Sequence, residues 1–160
     1  MRTSLIIAAL FIAPFVGHCA ADQDTLKFYF VSDEPVSGGR YIDTATCPKV
    51  GYITNTPNLV VSHLQGISTN TVHTTIHYNS KVSVRTNTAI SIQMTTADGK
   101  LLASLTRENI GHRILITLGE RPLMAPMIQS AIESGDFQIT LPDGEDTEAT
   151  LAAFKKFVRH

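Results

Sequence analysis

The chain has 160 residues, 43% of them hydrophobic and 17% charged, with a formal net charge of -1. That balance excludes wholesale disorder and collagen-like repeats, and it argues against a nucleic-acid partner, which needs a basic face to neutralise phosphates. Two cysteines and no tryptophan leave no basis for a disulfide framework.

Met1-Arg2-Thr3-Ser4 gives a short positive lead, and an apolar run from Leu5 to Val16 follows, broken only by Pro14. Gly17, Cys19, Ala20 and Ala21 are small (Cys19 slightly larger), and charge returns at Asp22 and Asp24. A basic start, a short apolar stretch and small residues before a polar segment describe a secretory signal peptide. At about 1.5 Å per residue the apolar run falls well short of a ~30 Å hydrocarbon core, so a retained anchor is the poorer reading. Cleavage fits after Cys19 or after Ala21, and a lipid-modified Cys19 is hindered by the bulk of His18 before it. The expected organisation is therefore a leader at 1–21 and one domain at 22–160, with no membrane span in the mature chain. Export of a bacterial type places the domain in the periplasm, an oxidising compartment. Cys47 is then either buried or a dimerising thiol.

Leu26–Val31 alternates around Lys27 and predicts a first strand. Ser37-Gly38-Gly39-Arg40 reads as a loop. Twelve threonines lie between residues 44 and 96, and β-branched Thr suits a sheet with one wet face. Strands are expected at Val50–Thr54, Leu59–Val61, Thr71–Tyr78, Val82–Arg85 and Ala89–Thr95. Asn55-Thr56-Pro57-Asn58 and Tyr78-Asn79-Ser80-Lys81 carry turn chemistry.

The period then changes. Thr95 or Thr96 can cap a helix whose first turn holds Asp98, and Leu101, Leu102, Leu105 and Ile110 recur at roughly helical spacing. Asn109-Ile110-Gly111 ends it. Arg113–Leu118 predicts an apolar strand, Gly119-Glu120 a turn, and Leu123–Met127 an irregular partner strand restricted by Pro122 and Pro126. Ile128–Glu133 has room for a helical turn, and Phe137–Thr140 reads as a short strand. After Pro142-Asp143-Gly144 a helix is expected at about Thr147–Val158, with Leu151, Phe154 and Val158 on one face. The expected fold class is α+β: one mostly antiparallel sheet with two main helices on one face.

No catalytic constellation emerges. His73 and His77 would share a metal on a helix, but along a strand four residues span about 13 Å. His63 and His112 fit no ligand spacing. Asp143, Glu145, Asp146 and Glu148 read as solvated charges at a helix start, without the ligand pattern of a calcium loop. Phosphate-loop, dinucleotide-binding, nucleophile-elbow and zincin motifs are all missing from the sequence. No cofactor and no enzymatic activity are expected.

Thr106-Arg107-Glu108-Asn109-Ile110-Gly111 follows Asp98-Gly99-Lys100-Leu101-Leu102-Ala103, and Ala125-Pro126-Met127-Ile128 and Ile132-Glu133-Ser134-Gly135-Asp136-Phe137-Gln138-Ile139 come after it. This order resembles the head subdomain of the first periplasmic domain of SecD/SecDF, most closely over 89–158 and more loosely over 26–88. Gly119-Glu120 stands where the family carries an Asp-Gly turn, and Leu141 stands where it ends on a glycine. The transmembrane helices of SecD and room for its base subdomain are missing from this sequence. The resemblance implies a head-like fold and contact with polypeptide or an envelope protein, and it carries over no energy-coupled transport. The residues it marks are Thr106, Arg107, Glu108, Asn109, Gly111, Pro126 and Gly135. Each has an adequate fold-specifying role: backbone hydrogen bonds for Thr106 and Asn109, chain reversal at Gly111, a fixed φ at Pro126 and a turn at Gly135. Alternatively the turns at Gly111, Gly119 and Gly135 converge on a groove where Arg107, Arg113 and Arg121 hold a ligand. The favoured function is a non-enzymatic periplasmic binding module that meets a polypeptide along a sheet edge or apolar groove. The alternatives are a degenerate small hydrolase or metal-binding enzyme, and a dedicated inhibitor or immunity-type protein.

Overall fold

The first strand, β1 (Leu26–Val31), is paired on both sides. It runs antiparallel to β4 (Leu59–Val61), with Phe28 opposite Leu59, and antiparallel to β7 (Arg113–Leu118), with Phe28 opposite Ile116. β8 (Arg121–Met124) completes this sheet in the order β4-β1-β7-β8. In a computed structural model, the structure describes residues 25–158 apart from 46, 79–80 and 143–144. The leader expected at 1–21, the turn at Asn79-Ser80 and the acidic stretch at Asp143 lie wholly or partly outside these residues.

β1 alternates, and both of its faces are covered. Leu26 and Phe28 point into the main core, while Tyr29 joins a second cluster with Ile42, Cys47, Val50, Ile53 and Leu115. The second cluster sits beneath a small hairpin of β2 (Arg40–Ile42) and β3 (Gly51–Ile53). That hairpin is clasped to the end of β1 by two backbone bonds of 2.8 Å between Ser32 and Tyr52. The main core is closed on its other side by a three-stranded sheet, β5 (Leu64–Tyr78), β6 (Lys81–Met94) and β9 (Asp136–Pro142), in the order β5-β6-β9. α1 (Thr96–Glu108) and α2 (Glu145–Phe157) contribute Leu102, Phe154 and Phe157 to the same core. A fully buried Phe28 or Phe154 contributes about 1.5–3 kcal/mol each by burial alone.

The fold is α+β, with antiparallel pairing throughout the named strands. The strands sort into three sheets where the sequence suggested one. β5 and β6 are also much longer than their patterns indicate. β5 starts at Leu64, and β6 runs without a break through Thr86-Asn87-Thr88. Polar residues there obscure the alternation, and the mutual pairing of the two strands supplies the hydrogen bonds. Arg40, expected in a loop, opens β2. Ile128–Glu133 forms no helix, because the Ile128 N–H and C=O are both taken by the chain at residues 111–112.

α1 follows its cap closely. Thr95 Oγ1 accepts from the Asp98 N–H at 3.2 Å, and its hydroxyl donates to the Asp98 carboxylate at 2.8 Å. The buried stripe is Gly99, Leu102, Ala103 and Thr106, spaced i, i+3, i+4 and i+7. Leu101 and Ile110, which the spacing assigned to the apolar face, are each 53% exposed. The rotation is set by Gly99, whose missing side chain lets α1 lie against Gly135.

Candidate binding site

The segment after β8 is held in place by the Thr106–Gly111 motif. Thr106 is fully buried near the end of α1. Its hydroxyl donates to the Leu102 carbonyl at 2.8 Å and accepts from the Ile132 N–H at 3.0 Å. Arg107 reaches both carboxylate oxygens of Glu133 at 2.6–2.7 Å. Asn109 Nδ2 donates to the Leu105 carbonyl at 2.8 Å, closing the helix end, and Glu108 accepts from Ser104. The Gly111 N–H then donates to the Ile128 carbonyl at 2.8 Å, and the Ile114 N–H to the Pro126 carbonyl at 2.9 Å. At the far end Gly135, at φ +71°, packs on Gly99 so closely that a Cβ on Gly135 would lie 2.7 Å from the Gly99 Cα.

Pinned at 111–114, at Thr106 and at Gly99, the segment 125–135 contributes residues 126–130 and Ile132 to the wall of an apolar recess of about 270 Å³. Phe28, Leu102, Met124, Met127, Ile132 and Phe137 are among its lining residues. Phe28 and Phe137 meet edge to face with centroids 5.7 Å apart. Met127 is 57% exposed and Met124 half-buried, so the recess has a methionine mouth and an aromatic floor. The volume falls just below the roughly 300–1,000 Å³ of small-molecule sites, and it suits one or two apolar side chains. Two larger recesses are more polar. One, of about 690 Å³, lies at the start of α1 beside Ser62, His63, Thr96 and Asp98; the other, of about 600 Å³, lies beside Cys47 and Arg113.

The three arginines do not converge on the recess. Arg107 is engaged with Glu133, and Arg113 Nη1 donates to the Val50 carbonyl at 2.9 Å. Arg121 opens β8, at the opposite end of β7 from Arg113. Gly111 and Gly119 likewise flank β7 at its two ends, at roughly 3.3 Å per residue of strand between them. Of the motif residues, Pro126 lines the recess, while Thr106, Gly111 and Gly135 hold its wall. The sequence reading missed Met124, Met127, Phe28 and Phe137 as lining residues. Two methionines flanking Pro126 in an irregular strand were the available signal, because flexible thioethers commonly line adaptable surfaces.

His73 pairs with Thr86, and its Nδ1 lies 3.4 Å from the Thr86 hydroxyl. His77 is four residues further along the same strand. Among the described residues no group of three or more His, Cys, Asp and Glu is placed to hold a metal. Among them, too, no helix is long and apolar enough to cross a membrane.

The family model of the SecDF P1 head subdomain matches residues 52–154, well over half of the chain. The chain belongs to the SecDF P1 head subdomain family. Two solved structures share the fold. One, described as a membrane component SecDF that enhances protein export, aligns at 18% identity with a TM-score of 0.52, covering 84% of this chain and 62% of that one. The other, SecDF in its super-membrane-facing form, aligns at 20% identity with a TM-score of 0.51, covering 84% of this chain and 18% of that one. The chain thus spans less than two thirds of either relative's length. No curated protein matches it. The head-like α+β architecture is therefore shared with SecDF.

Proposed function

We propose that the protein is a non-enzymatic binding module of the cell envelope, exported with residues 1–21 as its leader and working as one domain over 22–160. The partner is a polypeptide segment or envelope protein, and it inserts an apolar side chain into the recess behind Met124 and Met127. The observation that carries this reading is the recess itself. Of the residues that mark the family, Thr106, Gly111 and Gly135 fix its wall, and its mouth is lined by adaptable methionines. None of the described residues lining the recess is ionisable, which favours burial of an uncharged side chain. Membership of an export-related family supports a polypeptide as the ligand class.

The test is titration of the purified protein with a fluorescently labelled, permanently unfolded polypeptide. Met127→Asp should weaken binding by about tenfold or more, since a charge would have to enter the apolar mouth. Met127 is mostly exposed, so the same substitution should leave the unfolding temperature nearly unchanged. Equal affinity of the two proteins would overturn the reading.

A further inference from the structure

The four outer strands of the two larger sheets are treated very differently by the sequence. β4 has three residues. β8 has four and begins Arg121-Pro122. β9 begins at Asp136 and ends at Pro142. Shortness, charge and proline are the devices by which sheets keep an open edge from pairing with another chain. β5 has none of them. It is 15 residues long, and between Leu64 and Tyr78 there is no Asp, Glu, Lys, Arg or Pro. Its one irregularity is at Leu64/Gly66, at the base, where Leu64 also bridges to Val158. Beyond that point no strand pairs with its outer edge among the described residues. At about 3.4 Å per residue the open edge runs for some 45 Å.

We propose that β5 pairs antiparallel with β5 of a second copy of this chain about a two-fold axis, joining two three-stranded sheets into one of six strands. Three features select a second copy over a foreign segment. An antiparallel edge is complementary to itself under a two-fold axis, so one strand supplies both sides. The strand carries no Asp, Glu, Lys or Arg that would set two copies against each other, and exposed Thr69, Thr71, Val72 and Thr75 offer the β-branched pairs that stabilise cross-strand contacts. A folded second copy also brings its strand already ordered by β6, whereas a free segment has to give up its conformational freedom on binding. The edge lies outside the methionine recess, so this pairing does not depend on the polypeptide-binding reading.

Sedimentation equilibrium of the purified protein is expected to give twice the mass of one chain at micromolar concentration. Thr71 and Thr75 are both exposed, so Thr71→Lys/Thr75→Lys should fold with an unchanged circular dichroism spectrum. It should weaken the dimer about tenfold or more by placing like charges across the axis. Thr71→Glu/Thr75→Glu should do the same, and an equimolar mixture of the two variants should recover the dimer. A native protein that stays monomeric up to roughly 100 µM overturns the proposal. So does a lysine variant that remains fully dimeric, or a monomer whose β5 edge takes up a foreign peptide instead.

Discussion

At the scale of single residues, the family motif acts through contacts that a sequence names but cannot aim. Thr106 is buried without penalty because its hydroxyl both donates and accepts. Of the two motif glycines Gly135 is the tighter, because it needs a left-handed φ and also meets Gly99 backbone to backbone. Gly111 has a similar φ of +88° but open space around it. The two substitutions should therefore separate. Gly135→Ala adds a clash with backbone to the conformational cost and should lose about 2–4 kcal/mol. Gly111→Ala should lose only about 1 kcal/mol. Urea unfolding midpoints of both variants measure the difference, and equal losses would show that the contact with Gly99 is not rigid.

At the scale of elements, the sheet and its covering hairpin are joined by a charged contact. Lys27 on β1 is only 7% exposed, and its ammonium donates to Glu120 Oε1 at 3.0 Å. Arg40 of β2 donates to the other oxygen at 3.2 Å. Glu120, in the β7–β8 turn, thus links to both β1 and β2. The Lys27 hydrogen bond first, and then that of Arg40, hold its carboxyl below the usual carboxylate range. A depressed value in the folded state means that the ionised carboxylate stabilises the fold above the ordinary carboxylate pKa of about 4, and that this contribution fades as pH falls through the folded value. Glu120→Gln should accordingly be less stable than the native protein near neutral pH, with the gap closing in acid. The Glu120 side chain is 69% exposed, so the effect is also screened by salt. Thermal unfolding at several pH values checks this; a gap that widens in acid has the wrong sign.

At the scale of the whole molecule, the sheet containing β1 and β7 separates two apolar clusters of unequal size. The smaller one encloses Cys47, which is 4% exposed and free. Burial raises its pKa, so the thiol stays protonated and poorly nucleophilic in the native state. Its modification is therefore slow in the folded state and speeds up when the β2–β3 hairpin lifts or the whole domain unfolds. Reaction with an aromatic disulfide reagent should be slow in buffer and should accelerate with denaturant in step with loss of secondary structure. Labelling that is equally rapid with and without denaturant would mean that the hairpin opens independently. Of the two fates that the sequence leaves to this thiol, burial is the one the packing provides.

Elements whose signals are local are legible in the chain alone. Leu26–Val31 and Arg113–Leu118 are alternating or apolar β-prone runs, and both form strands with those bounds. α1 carries its own cap at Thr95, and α2 its Phe154 stripe. The order of Thr106, Pro126 and Gly135 was likewise sufficient to indicate the family, because each serves a backbone need that few other residues meet. The rest is set by pairing and packing between distant parts of the chain. Whether strands share a sheet depends on pairing between distant residues, so the division into three sheets left no local trace. The extent of β5 and β6 is fixed by their mutual hydrogen bonds, which override a polar pattern. The recess exists because Phe28, Leu102, Met127 and Phe137, about 110 residues apart at the extremes, converge through long-range packing. No periodicity in a chain records a convergence of that kind.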